Sequence, residues 1–315
     1  MKLVSYYSSN QQIVKAGWVK QDKVYDLNET YRYLAERRGA DMALPVSLLD
    51  YIELPEEQKQ WLQSLQEEED MKIPSLGLLK DMKLAAPIPR PPSFRDFYAF
   101  EGHVKTARAN RGLEMVPEWY HFPVFYFSNA GAVKGHDEPV EKPAFTEWLD
   151  YELEVACVIG KEGKNITREN ALDYIEGFMV LNDWSARDVQ REEVKVGLGP
   201  AKGKDFATSM GPYLVTKDEL EDCRDGEHFT LDMKAAVNGR VLSQGNVNTL
   251  YFSFSQMIER ASQDCTLYPG DVIGSGTVAT GCILELGTDV HRWLEKGDVV
   301  ELSVERLGTL RNEIV

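Results

Sequence analysis

Between Trp148 and Gly160 the chain runs WLDYELEVACVIG, with Asp150, Glu152 and Glu154 at every second position directly before an apolar stretch. On a strand, residues two apart face the same way, so Glu152 and Glu154 project together, roughly 7 Å apart at Cα, while Leu153 and Val155 face the other side. Like charges that close repel one another and resist desolvation unless something positive sits between them. A divalent cation such as Mg²⁺, Ca²⁺ or Mn²⁺ suits such hard oxygen ligands. The alternative is an exposed strand face with solvated acids. The segment alone leaves both open, although Val155 to Ile159 is apolar on both faces and points to interior surroundings. Two more acids add weight to the cation. Asp183 ends the apolar run FMVLND, and Asp96 lies in SFRDFYAFEGH together with Tyr98 and His103. Four carboxylates on one ion leave its remaining positions to water and substrate.

Such residues need a fold large enough to bury them. The chain has 315 residues, 43% of them hydrophobic, which fits one large domain or two unequal ones. Thirty-five Lys plus Arg oppose 51 Asp plus Glu, a net charge of −16 that repels phosphate backbones and anionic membranes. Nucleic acid and membrane are therefore not expected partners, and an acidic ligand needs local cations or a metal in its pocket. Cys157, Cys223, Cys265 and Cys282 show no paired C-x-x-C spacing and read as buried reduced thiols. With no apolar leader in MKLVSYYSSNQQ and no apolar run of about 18 residues, a soluble protein of the reducing cytoplasm is expected.

The elements follow from periodicity and breakers. KLVSYY, IVKAGWVK and KVYDL read as a β-rich start, and YRYLAERR has helical spacing. Glu53 to Asp70 is an acidic, Gln-rich stretch whose apolar stripe is Trp61, Leu62 and Leu65, read as a solvated helix without function. Pro87, Pro89, Pro91 and Pro92 force an extended connection and mark a boundary between a small domain over 1–85 and a larger one over 86–315. Strands are expected at 122–127, 151–160 and 178–183. A helix is expected between the last two, with Thr167 as N-cap and Gly177 just past its end. Asn238-Gly239 marks a type I′ hairpin, Pro269-Gly270-Asp271 and Gly297-Asp298 mark turns, and DVVELSVERLG is a further strand. Many short strands with few helices predict a mixed, β-rich α+β fold rather than a doubly wound sheet.

Over about residues 85 to 315 the ordered motifs RDFYAFEGH, PVFY, DYELE, NDWSARDVQ, GKDF and GSGTVATGCILELG resemble the fumarylacetoacetate hydrolase family. The resemblance implies a sandwich or roll as the C-terminal domain, behind a small β-rich N-terminal domain, in a homodimer. It implies Asp96, Glu152, Glu154 and Asp183 as ligands of a divalent cation, Mg²⁺ first and Ca²⁺ or Mn²⁺ as alternatives. His103 becomes the catalytic base oriented by Glu285, and Lys204 the catalytic cation. Tyr98, Tyr126, Arg187, Gln190 and Thr277 become substrate contacts. One departure is Gly102 beside the base, where a bulkier or polar residue is expected and where the backbone is more permissive.

The implied activity is hydrolysis of a carbon–carbon bond in a β-diketo acid, fumarylacetoacetate or a related acylpyruvate, as in aromatic amino acid catabolism. His103 can take a proton from water if a carboxylate fixes its tautomer, a role that fits Glu285. His121, His136, His228 and His291 read as structural. Arg187 and Gln190 share a face on a helical turn, where Arg suits a substrate carboxylate, and Lys204 is a point charge suited to a developing enolate oxygen. A surface pair of Arg187 with Asp188 or Glu192 is the competing reading. Decarboxylation, hydration or tautomerisation of a 2-oxo acid is the alternative chemistry on the same scaffold.

Overall fold

The computed structural model describes residues 1–8, 13–69 and 71–315, so Ser9 to Gln12 and Asp70, the last residue of the acidic stretch, lie outside the described residues. The N-terminal strands β1 (Lys2–Tyr7), β2 (Val14–Lys20) and β3 (Lys23–Asp26) form an antiparallel meander. Helix α1 (Leu27–Arg38) follows at once because Asp26 accepts a hydrogen bond from the Glu29 N–H, and it stops at Gly39 in the left-handed region (φ 62°). Beyond the prolines come β4 (Phe94–Phe97), α2 (Glu101–Ala109), β5 (Phe125–Phe127), β6 (Leu153–Ile159), β7 (Ile175–Asn182), α3 (Arg187–Glu193) and β8 (Thr208–Thr216). The chain closes with β9 (Asp232–Val237), β10 (Arg240–Asn246), β11 (Val272–Gly274), the short α4 (Ile283–Leu286), β12 (Val299–Val304) and β13 (Gly308–Glu313).

Among the described residues these strands and several two-residue ones make a twelve-stranded sheet, with the path β3-β2-β1-β8-β7-β6-β11-β4-β5, and a four-stranded sheet β10-β9-β12-β13. The smaller sheet packs on the larger, with β13 against β8 and β12 against β7. The mixed α+β fold with a large sheet is the architecture expected from the strand-rich sequence. The sheet also runs through the proline connection: β1 pairs with β8, at Leu3 opposite Leu214, so strands of the first 85 residues extend the sheet of the rest.

Several local expectations need correction. Residues 168–174 form a 3₁₀ run after Thr167, not an α-helix, and Gly177 lies inside β7. A Cβ at Gly177 would stand 2.2 Å from the Val215 carbonyl oxygen, so this glycine permits strand contact and ends nothing. At 122–127 only Phe125–Phe127 is strand. The hairpin at Asn238-Gly239 forms as expected, with φ of 51° and 78° and Val237 opposite Arg240. Of the cysteines, Cys157 and Cys282 are buried, but Cys265 is exposed and Cys223 partly so. No described helix is long and apolar enough to cross a membrane.

Candidate active site

Register brings the four acids together. Strand β6 pairs with β7 on one side (Leu153 opposite Asn182) and with β11 on the other (Ala156 opposite Gly274). Strand β11 pairs in parallel with β4, with Gly274 opposite Asp96. Asp96, Glu152, Glu154 and Asp183 thus emerge from neighbouring strands at one end of the sheet, all buried, each with a ligand oxygen within 4.8 Å of the others. Gly274 is the opening that lets them meet, since a Cβ there would lie 2.3 Å from Asp96 Oδ1.

The donors around them are few. Lys204 Nζ donates to Asp183 at 2.6 Å and also to Glu152, and the Tyr126 hydroxyl donates to Asp183 at 2.5 Å. The Gly276 N–H serves Glu154 at 3.1 Å and Asp96 at 3.3 Å, and the Thr277 hydroxyl reaches Glu154 at 3.4 Å. Asp183 Oδ1 is buried with no partner among the described residues. Four carboxylates, one carrying an orphaned oxygen, fit a hard divalent metal ion.

The protonation pattern has the same cause. Burial and Asp183 push the Asp96 carboxyl well above its ordinary range against the pull of Lys204, and burial and Asp96 do the same to Glu154. Burial also raises Asp183 despite Lys204. At Glu152 burial is outweighed by Lys204, then Arg187 and His103, which hold it well below the carboxylate range. The Lys204 ammonium is held charged by Asp183 and Glu152 although burial opposes it.

The three alternating acids do three different things. Glu154 lies within the quartet, Glu152 joins it to Lys204 and Arg187, and Asp150, outside the quartet, binds the same Arg187 and fastens the framework. Asp150 accepts from Arg187 Nε at 2.9 Å and from the first N–H groups of α4, Ile283 at 2.8 Å and Leu284 at 3.0 Å. That positioning role was missed from the sequence, although the alternation itself contains Asp150. Arg187 is not paired with Asp188 or Glu192. Its Nη2 donates to Glu152 at 2.8 Å and its Nη1 to Gln190 at 3.0 Å, so anchoring a substrate carboxylate requires exchange of one of these bonds.

Helix α4 presents Glu285 to His103, the third residue of α2. Glu285 Oε2 lies 2.8 Å from His103 Nδ1, off the axis of a ring N–H, so Nδ1 has no aligned hydrogen bond. The Thr280 N–H holds the other oxygen of Glu285 at 3.1 Å. Gly102 does not loosen this helix. A Cβ there would meet that of Ala279 at 2.7 Å, so the glycine lets α2 lie close to the 277–280 segment. Tyr98 stacks edge-on against His103 at 5.4 Å, and its phenol is pushed up to about 12 chiefly by burial. Tyr98 also lines a cavity of about 260 Å³, together with the apolar Val104, Val116, Trp119, Phe122 and Val124 and the charged Arg108 and Glu118.

The chain's residues 93–315 match the family model of the fumarylacetoacetate (FAA) hydrolase C-terminal domain. The chain is 32% identical to the oxaloacetate tautomerase YisK of Bacillus subtilis over 75% of its own length and 74% of that protein's. It is also 32% identical to the fumarylacetoacetase of Arabidopsis thaliana, over 67% of its length and 64% of the relative's. In structure it is similar to the fumarylacetoacetate hydrolase of Exiguobacterium antarcticum, with a TM-score of 0.70, 26% identity and coverage of 100% and 99% of the two chains.

Proposed function

From a chain that belongs to the fumarylacetoacetate hydrolase family, we propose a divalent-cation-dependent hydrolase that cleaves the carbon–carbon bond of a β-diketo acid, fumarylacetoacetate or a related acylpyruvate. The observation that carries it is the buried His103, with Glu285 Oε2 2.8 Å away, close enough to the acidic quartet for its charge to act on Glu152. A cation held by Asp96, Glu152, Glu154 and Asp183, with Mg²⁺ the first candidate, supplies Lewis-acid polarisation of the diketo oxygens when bound.

The protein's own groups do the rest. His103 takes a proton from water while Glu285 offsets the imidazolium charge, and the water oxygen bonds to the carbonyl carbon. The carbon–carbon bond then breaks with its electron pair on the departing carbon, to which His103 returns the proton. Lys204 offsets the negative charge that grows on the leaving enolate. Tyr98 and the largely apolar cavity it lines receive the acyl group, and Arg187, Gln190, Tyr126 and Thr277 surround the oxo acid.

A second reading, tautomerisation of oxaloacetate, is favoured by the name of the Bacillus relative. The same His103 can move a proton between carbon and oxygen without breaking a carbon–carbon bond. A panel of acylpyruvates, fumarylacetoacetate and oxaloacetate separates the two, read by loss of diketo absorbance and by enol-to-keto conversion. The hydrolase predicts loss of diketo absorbance that stops in chelator and returns with Mg²⁺ or Mn²⁺. It also predicts that His103→Ala lowers kcat by about 10²- to 10⁴-fold while metal binding is kept. Conversion of oxaloacetate alone, with no diketo substrate cleaved, selects the tautomerase. The same proposal takes the protein as a homodimer in the cytoplasm, and sedimentation of the purified protein tests the dimer.

A further inference from the structure

Beside the oxygen-only quartet lies a second group of different chemistry. His103, Cys282 and Glu285 each offer one ligand atom, and these atoms lie within 4.8 Å of one another. Cys282 Sγ is 3.4 Å from Glu285 Oε2, and that same oxygen is 2.8 Å from His103 Nδ1. Ligand atoms around one tetrahedral zinc ion stand roughly 3.3 to 3.8 Å apart, so small side-chain rotations suffice. The independent observation is His103 itself. The residue is 4% exposed, yet the Glu285 oxygen 2.8 Å from Nδ1 lies off the N–H axis, and that nitrogen has no aligned hydrogen bond among the described residues. A nitrogen, sulfur and oxygen set prefers Zn²⁺ to Mg²⁺ or Ca²⁺, the reverse of the quartet's preference.

We propose that His103, Cys282 and Glu285 form a second metal site, selective for a thiophilic divalent cation such as Zn²⁺, whose occupancy inhibits the enzyme by capturing its base. Three protein ligands leave the fourth tetrahedral position to water. Because the trio shares His103 with the proposed reaction, zinc at this place and proton transfer by His103 exclude each other. The inference goes beyond the hydrolase reading, and its first test does not depend on turnover.

The full chain is loaded with Co²⁺ in the presence of excess Mg²⁺, and the near-ultraviolet band of a thiolate–cobalt bond is recorded. The band is expected in the wild type, in Glu154→Gln and in Cys265→Ala, and it is expected to vanish in Cys282→Ala. Cys282→Ser is the second variant should the alanine protein not fold. A wild type without the band, or a band that survives both substitutions at 282, overturns the site. The second arm titrates Zn²⁺ against activity at saturating Mg²⁺. Substitution of Cys282 is expected to raise the half-inhibiting zinc concentration by at least roughly ten-fold. An unchanged value overturns the inhibitory role even where the cobalt band is present. A protein inactive on every diketo acid sinks the hydrolase reading and leaves the cobalt result to decide the site alone.

Discussion

Two buried charged clusters in this molecule are built on opposite principles. Under the N-terminal helices Lys59 Nζ meets Glu176 Oε2 at 2.6 Å, with side chains 7% and 10% exposed, one cation for one anion. At the sheet end, Asp96, Glu152, Glu154, Asp183 and the adjoining Asp150 have Lys204 and Arg187 as their Lys and Arg partners among the described residues. A matched pair can satisfy itself, whereas five acids against two cations must take up protons or a further positive charge. Burial raises the carboxyls in both places, but at Asp96 and Glu154 the next cause is a neighbouring acid that adds to it, whereas at Glu176 it is Lys59, which opposes it. The surplus is what a divalent cation would remove, so imbalance sets the candidate site apart from the balanced pair.

The sharpest way to break this contrast is to remove one acid from the surplus. Glu154→Gln should abolish tight metal binding and lower kcat/KM by about a thousand-fold, since the cation's electrostatic contribution is several kcal/mol. In the metal-free protein the same change should leave the melting temperature unchanged or higher, because the amide needs no proton to be neutral among the other acids. Calorimetric metal titration and thermal melts of both forms read the two effects. A metal-free variant that melts well below the wild type would show that the quartet is not in surplus.

Much of the site was legible because strand alternation and motif order act locally. The DYELE alternation announces a shared face, and Asp183 at the end of an apolar strand announces a carboxylate at its tip. What stayed hidden depends on which strands and helices meet. Asp150 stands in the same alternation as Glu152, yet its partners Ile283 and Leu284 are more than 130 residues away, and no period identifies them. Gly274 reads as an ordinary strand glycine until β11 is placed beside β4, where it makes room for Asp96. Lys59 sits in what reads as a solvated acidic helix, and only the approach of β7 turns it into a buried ion. The pairing of β1 with β8 was hidden for the same reason, since alternation specifies a face and not a neighbour.

The balanced pair gives the next prediction. Lys59→Met leaves Glu176 buried without its cation and should cost about 3 kcal/mol of stability in denaturant unfolding, with kcat untouched. Replacing both residues with methionine should recover most of that loss, because the cost lies in the unpaired charge. A double variant as unstable as the single one would mean that packing, not charge, is what Lys59 provides.

The smallest effect concerns a carboxylate with donors in excess. Asp298 accepts from Arg292 at 2.6 and 3.0 Å, from the Glu295 N–H at 2.8 Å and from the Asn238 side chain at 2.8 Å. Burial would raise its pKa, but the Arg292 guanidinium and these N–H groups outweigh it and lower the carboxyl from 3.8 to about 2. A carboxyl lowered on folding stabilises the protein above its unfolded pKa, and that stabilisation fades as pH falls toward the folded value. With Arg292 half exposed, the contribution is roughly 1 to 2 kcal/mol. Asp298→Asn should therefore be less stable than wild type by that amount at pH 7, and the gap should narrow between pH 4 and pH 2. Urea unfolding at stepped pH reads the gap directly, and a gap that is constant with pH would assign it to lost hydrogen-bond geometry. A gap that narrows as expected would set Asp298 against Asp96: donors in excess outweigh burial and lower a carboxyl, whereas beside further acids burial and repulsion together raise it, and it is the second arrangement that calls for a metal.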